Sequence, residues 1–387
     1  MVPTTSSNKI CLGKNKTLRV LHIFGRMDRG GSELRTLELM PLLAEKGVHF
    51  DFCTLSGGEG ELDGEIRQLG GEVFPCPLRS AVLTFGKRFL QILNHSNYDI
   101  VHSHEHYFNG CIVRLAHKAG IKGRIVHFRS IYDGKPLTLR RKFYRKIMHR
   151  WMDKYATAIL AVCCGAMEFS WGEDWYKDPR VQVIYNGLDL SQYQFSGDER
   201  ENVASEFDLP DNSKLVIHVG RMHRAKGHDV LLDAAAKVIA TDPTIHFLLV
   251  GDGALKADMQ ARTNALNITN NVHFAGARRD VPRLLKASDC FVLPSRWEGL
   301  PGAVLEAVAA NLPVIATDLP GVREIAEHTN LISIIPVEDS EALAAGILKT
   351  CTNMKVKTDK QVPFPEEFDL QRCAEKVFEV YLKQIKG

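Results

Sequence analysis

The segment Ala287–Asp318, ASDCFVLPSRWEGLPGAVLEAVAANLPVIATD, constrains the fold more than any other part of the chain. It opens with an apolar run, Cys290–Pro294, too short for a long helix and the right length for a buried parallel strand. A polar loop, Ser295–Leu300, follows. Pro301 stands where a helix can begin, because its fixed φ suits the first helical position and its missing N–H is not needed there. The helix then runs through Ala303, Val304, Ala307, Val308 and Ala310 to Asn311, which tolerates the left-handed cap. A second apolar strand is predicted at Pro313–Thr317.

This unit places Glu298 and Glu306, eight residues apart, around one helix N-terminus. The first lies in the loop and the second about one turn inside the helix. The N–H groups of Leu300, Gly302 and Ala303 lie between them, and Gly299 and Gly302 let a ligand approach the backbone. Such a terminus binds phosphate through its orphan N–H groups and the helix dipole. Carboxylates only accept hydrogen bonds, so they suit sugar hydroxyls. Donors in the middle with acceptors on both sides fit a sugar, a diphosphate and a ribose, which together make a nucleotide sugar.

The rest of the chain repeats this alternation. Strands are predicted at Leu18–Phe24, Phe50–Leu55, Glu72–Cys76, Ile100–His104, Gly123–Phe128, Ala158–Val162 and Val181–Tyr185. A second series follows at Leu215–Val219, His246–Val250, Val272–Ala275, Cys290–Leu293, Pro313–Ala316 and Ile332–Ile335. Helical stretches separate them, among them Glu33–Lys46, which argues for mainly parallel sheets covered on both faces. The fold class expected is α/β, with two Rossmann-like domains facing across a cleft. Residues 17–190 form the first domain, 191–213 a polar linker region and 214–365 the second domain. Residues 366–387 form a closing helix that returns to the first domain, with Thr352–Pro365 as loop. A length of 387 residues is comfortable for two cores.

Residues 1–16 are polar, without the apolar core of a signal peptide, and are expected to be a disordered tail. No run approaches the length needed to span a bilayer. Nine cysteines show neither zinc-type spacing nor disulfide regularity, which points to a reducing, cytoplasmic setting. A net charge of +3 is too weak to argue for nucleic acid as a partner.

Arg221 and Lys226, in HVGRMHRAKGHD, follow the first strand of the second domain and would project at the carboxyl edge of its sheet. Two cations there can neutralise a diphosphate leaving group as its charge grows, without a metal. Two solvated surface cations are the ordinary alternative. His102 and His104 end a strand and point the same way. One of them is expected to be a packed core histidine, and His104, nearer the loop, is assigned to the site. Gly30 and Gly31 offer a second helix N-terminus facing the cleft. The run Lys135–Trp151 alternates Arg140, Arg141, Lys142, Arg145, Lys146 and Arg150 with Leu139, Phe143, Ile147 and Met148. It reads either as a solvated face or as a contact with an anionic membrane. No Asp-x-Asp pair, G-x-S-x-G elbow or Walker-type loop occurs, which lowers metal-dependent transferase, hydrolase and nucleoside-triphosphatase readings.

In order and spacing, VIYNGLD (Val183–Asp189), VGRMHRAKG (Val219–Gly227), LLVGDG (Leu248–Gly253), His273–Ser295 and EGLPGAVLEA (Glu298–Ala307) resemble glycosyltransferase family 4, the retaining, metal-independent transferases of the GT-B fold. The resemblance covers nearly the whole chain, more closely in the second domain than in the first. It implies that Glu298 contacts the donor sugar and Glu306 the ribose, and that Arg221 and Lys226 hold the diphosphate with backbone at Leu300 and Gly302. It further implies that His104 lies near the transferred sugar, that the Gly30–Gly31 loop lies near donor phosphate and acceptor, and that Gly276–Arg279 contacts the base. The activity implied is hexosyl transfer, most commonly from a uridine diphosphate sugar, to a saccharide or lipid-linked acceptor, with no cofactor. A sugar-nucleotide epimerase and a noncatalytic transferase-like subunit stay open as alternatives.

Overall fold

The computed structural model describes residues 17–78, 82–132, 136–193, 199–353 and 362–386. The expected tail at 1–16 lies outside them. Seven apolar segments form the first sheet: β1 Leu18–Phe24, β2 Val48–Thr54, β3 Val73–Pro75, β4 Ile100–Ser103, β5 Gly123–Phe128, β6 Ala158–Ala161 and β7 Val181–Val183. Six form the second: β8 Lys214–Val219, β9 Ile245–Val250, β10 Val272–Gly276, β11 Cys290–Leu293, β12 Val314–Thr317 and β13 Ile332–Ile335. Their near-continuous apolar character follows from burial on both faces: every residue of β9, β11 and β12 is buried.

All pairings within both sheets are parallel. The orders are β3-β2-β1-β4-β5-β6-β7 and β10-β9-β8-β11-β12-β13. Strand order therefore reverses between β1 and β4 in one sheet and between β8 and β11 in the other. In open α/β sheets, ligands bind outside the carboxyl ends of the strands at such a reversal. The loops leaving these four strands carry Gly30–Gly31, His104, Arg221–Lys226 and Glu298–Pro301.

One apolar cluster crosses the domain boundary, joining Phe128, Val162 and Ala166 of the first domain to Leu300, Val304 and Val322 of the second. The chain also crosses back. Phe368 is fully buried, Leu188 bridges Asp369, and helix Leu370–Lys386 packs against helix Gly31–Ala44 and β5. Its Cys373, Val377, Phe378 and Tyr381 complete the core over β1 and β2.

Three local expectations shift. The predicted linker contains helix Glu199–Glu206, with Val203 fully buried, packed against helix Val281–Ala287. Its polar sequence hid this because Glu206 pairs with Arg278 and Arg283 rather than with solvent. The segment read as loop from Thr352 begins inside helix Ser340–Asn353, and 354–361 lie outside the described residues. Pro301 is the cap residue before the helix rather than its first member, at φ −72° and ψ 104°, and the helix runs Gly302–Ala309. Asn311 adopts φ 58°, the left-handed conformation its side chain tolerates.

Replacing Phe368 with alanine should cost about 3–5 kcal/mol, because a fully buried ring would leave a cavity at the crossing point. Phe143→Ala, at a residue 67% exposed, should change stability by no more than about 0.5 kcal/mol. Chemical denaturation of the two variants side by side checks the contrast, and equal losses would contradict it.

Candidate active site

The loop after β11 brings Glu298 back over β8. Lys226 closes a short 3-10 turn, Arg224–Lys226, and its Nζ lies 2.6 Å from Glu298 Oε1. Ser295 Oγ donates to the same oxygen at 2.7 Å. Gly227, at φ 63°, lets that turn pass directly under the Pro294 carbonyl, where a Cβ would collide. Among the described residues no other side chain bonds Glu298, so Oε2 is open to a ligand. Gly302 has nothing within 4 Å of where a Cβ would stand, and Gly31 is equally open on the opposite wall. Pro301 O accepts from the N–H groups of Val304 and Leu305, which leaves the earlier N–H groups at the mouth of the helix.

The first domain closes the site from the other side. Gly30 faces Arg221: a Cβ at Gly30 would lie 3.5 Å from Arg221 Nη2. Glu33 holds a hydrogen bond from Ser32 Oγ at 2.7 Å and feels both Arg221 and Arg129. Burial pushes its carboxyl above the usual carboxylate range. Gly299 packs against the Arg129 carbonyl, again with no room for a Cβ. Glu306, the fifth residue of its helix, accepts from Arg35 Nη2 at 2.8 Å, and Arg35 belongs to helix Gly31–Ala44 of the other domain. Desolvation raises the Glu306 carboxyl, while Arg35 and then Lys226 oppose that rise.

The structure thus gathers Glu298, Glu306, Arg221, Lys226, Leu300, Gly302, Gly30 and Gly31 around one gap. Gly276, at φ 68°, ends the edge strand β10, two strands away from β8, and Arg279 lies exposed in the following loop.

His104 is arranged differently from the expectation. Both of its ring nitrogens are engaged inside the first domain, and the residue is 7% exposed. Arg129 Nε donates to His104 Nδ1 at 3.1 Å. A guanidinium has only donors, so Nδ1 must accept, and the proton of the neutral ring sits on Nε2. That Nε2–H meets His22 Nδ1 at 3.1 Å, which leaves the His22 proton on Nε2, 3.4 Å from the Tyr381 hydroxyl. Tyr381 then donates to His102 Nδ1 at 2.8 Å, and His102 Nε2–H to His127 Nδ1 at 3.1 Å. A single donor-only residue sets the tautomer of four histidines. Burial drives all four far below the ordinary histidine range, which keeps them neutral. His22, His102 and His104 offer ring nitrogens within 4.8 Å of one another, as a metal site would, but all six nitrogens already have partners. His102 and His104 do point the same way, as strand alternation requires. That way is inward.

Arg129 also donates to Asn186 Oδ1 at 2.8 Å and Thr36 Oγ1 at 3.2 Å. Burial lowers its pKa to about 10. Sequence reasoning missed Arg129 and Arg35. Arg35 carried a signal, since it occupies the buried register of its helix with Leu39 and Leu43.

Four neutral buried histidines make stability depend on pH in a defined direction. Below pH about 6.5 the unfolded chain protonates them and the folded chain does not, so stability present above that pH falls as the pH drops. The loss should reach about 1.4 kcal/mol per pH unit for each histidine. Urea unfolding at pH 7.5 and 5.5 measures it, and an unchanged midpoint would count against a neutral network.

Comparison with known proteins identifies the family. Residues 213–353 match the family Glycosyl transferases group 1, and residues 29–192 match Glycosyltransferase Family 4. The capsular polysaccharide biosynthesis glycosyltransferase CapH of Staphylococcus aureus is 28% identical over 374 residues, covering 95% of this chain and 99% of CapH. The UDP-Gal:alpha-D-GlcNAc-diphosphoundecaprenol alpha-1,3-galactosyltransferase of Escherichia coli is 32% identical over 245 residues, 60% of each chain. The crystal structure of Anabaena Alr3699/HepE in complex with UDP superposes with a TM-score of 0.76 at 20% identity, covering 95% of this chain and 100% of that one. With both halves matched and the two sheets facing as a GT-B fold, the chain belongs to the group 1 glycosyltransferases of family 4.

Proposed function

We propose that this glycosyltransferase moves a hexosyl group, with retention at the anomeric carbon, from a uridine diphosphate sugar to a hydroxyl of a saccharide or lipid-linked saccharide. The observation that carries the reading is the Lys226–Glu298 pair at the mouth of helix Gly302–Ala309, with Arg221 on the same side of the gap and Gly30 facing it from the other. Relatives named for polysaccharide biosynthesis and a fold neighbour crystallised with UDP-glucose support the substrate class. The donor diphosphate takes over Lys226 and Arg221, its sugar hydroxyls donate to Glu298, and its ribose hydroxyls donate to Glu306. As the bond from anomeric carbon to phosphate oxygen breaks, negative charge grows on the leaving oxygen. Lys226, Arg221 and the N–H groups at Leu300 and Gly302 face that charge. The acceptor oxygen bonds to the same face of the carbon, and its proton passes to the departing phosphate. Two cations of the chain, Arg221 and Lys226, fill the role a divalent ion plays elsewhere, so turnover should persist in a chelator. His104 backs the wall of the pocket, and Gly276 with Arg279 borders the base.

Glu298→Ala and Lys226→Ala should each lower kcat by at least about 10²–10³-fold, the size expected for losing one preorganised electrostatic group. Their melting temperatures should stay close to that of the wild type. Sugar transfer at the wild-type rate by both variants would refute these roles. Donor turnover with no acceptor present would favour an epimerase.

A second surface bears on where the protein works. Helix Leu139–Tyr155 exposes Leu139 at 84% and Phe143 at 67%, with Leu137 at 54% just before it. Arg140, Lys142, Lys146 and Arg150 are exposed alongside them, while Lys135 lies outside the described residues. Among the described residues no helix is long and apolar enough to cross a membrane. Apolar side chains ringed by cations suit the surface of an anionic leaflet. The protein should sediment with vesicles containing phosphatidylglycerol at low salt, and Leu139→Asp with Phe143→Asp should abolish this. Equal binding to neutral vesicles, or none to anionic ones, would rule out an anionic membrane as its partner.

A further inference from the structure

The nucleotide side of the site holds an arginine that its position in the chain does not explain. Arg35 lies in the first domain, 271 residues from Glu306, and is 8% exposed. Its guanidinium is fixed at three points. Nη2 donates to Glu306 Oε1 at 2.8 Å, and Nη1 donates to Glu38 Oε2 at 2.8 Å and to the Gly187 carbonyl at 3.4 Å. Burying so long and polar a side chain in a helix core costs free energy unless its partners need it. Glu38, one turn further along the same helix, shares the guanidinium, and burial favours the neutral acid there as well. At Glu306 the same desolvation matters more for a ligand, because a neutral carboxyl is a poorer acceptor for two ribose hydroxyls.

We propose that Arg35 is a positioning residue for the nucleotide, contributed by the opposite domain: it keeps Glu306 ionised and turned so that Oε2 and the second lone pair of Oε1 accept the ribose hydroxyls. This rests on the ribose role given to Glu306 above and adds a residue and a coupling to it. Arg35 sits on helix Gly31–Ala44, whose first turn also carries Glu33 in the field of Arg221, so one helix of the first domain acts on both the ribose-side acid and a diphosphate-side cation. Nucleotide affinity is then a property of the closed pair of domains and not of the second domain alone.

Among the described residues the groups facing Glu306 are few. Arg35 and Glu38 come from helix Gly31–Ala44, Lys226 from the turn after β8, and Asp189 and Tyr193 from the segment after β7 act on the same arginine and carboxylates. Burial pushes Glu38 up to about 7, so near neutral pH it competes only partly for Arg35. In the absence of Arg35, Lys226 is the one cation among the described residues left acting on Glu306, and it is already paired with Glu298.

Titration calorimetry with UDP tests this on the full chain. Arg35→Met should weaken UDP binding about tenfold at pH 7.5, and the affinity should fall more steeply towards pH 6 than in the wild type, because the unsupported carboxyl takes up a proton. Arg35→Lys should restore the wild-type pH dependence, since it returns the charge. Glu306→Gln should weaken UDP about as much, and adding Arg35→Met to it should cost no more than about a further twofold. Undiminished UDP affinity in Glu306→Gln would overturn the ribose role itself. Weak binding in Glu306→Gln with wild-type affinity and pH dependence in a folded Arg35→Met would overturn the role of Arg35 alone. A steep pH dependence that persists in Arg35→Lys would also overturn it.

Discussion

The structure depends on how closely two loop backbones approach across the gap between the sheets. Gly299 lies against the Arg129 carbonyl with no room for a side chain, and Gly30 faces Arg221 at ordinary van der Waals distance. That approach brings the switch point of one parallel sheet opposite the switch point of the other. The charged contact between the domains follows from it, since Glu306 reaches Arg35 only when the domains are this near. Apolar packing supplies the attraction: the cluster from Phe128 to Val322 spans the boundary, and the closing helix ties the two ends of the chain to one core. Gly299 decides how far that attraction can pull.

Inside the gap the charges compensate one another before any ligand arrives. Lys226 lies on Glu298, Arg35 lies on Glu306, and Glu33 lies in the field of Arg221. Removing a lone charge from water costs several kcal/mol even after relaxation, so a cleft this narrow could not hold these groups unpaired. In both strong pairs the cation engages one carboxylate oxygen and leaves the other. A nucleotide sugar can exchange partners group by group, its phosphates taking the cations and its hydroxyls the acids, and no charge is stranded during the exchange.

The sequence shows the parts of the site that are local and hides those that depend on distant packing. Glu298, Pro301, Gly302 and Glu306 fall within one strand–loop–helix unit, so apolar periodicity and turn chemistry locate them. Lys226 is found for the same reason, by following one strand to its end. His104 is legible in its strand and on its face, but which way the face looks depends on β1 and β5. The parallel register sets His22 beside His102, and His127 follows on the next strand; four histidines at the ends of adjacent strands read as a buried layer only once that order is known. The helix at Glu199–Glu206 stayed hidden because ion pairs with Arg278 and Arg283, not an apolar stripe, hold one of its ends.

Arg129 shows why the histidine layer and the transfer site are not separable. It is buried, it bonds only neutral acceptors in His104, Asn186 and Thr36, and its carbonyl is the surface against which Gly299 rests. Histidines held neutral can accept from this cation without adding charge of their own, whereas a protonated ring at His104 would repel it. The depressed basicity of the layer is therefore a condition for keeping a cation at the domain boundary. That cation's field extends to Glu33 and so to the wall facing Arg221. A buried cation with no carboxylate hydrogen-bond partner among the described residues also adds positive potential at the boundary, which favours entry of a diphosphate. The neutral core of the first domain thus shapes the electrostatics of a reaction whose principal side chains belong to the second.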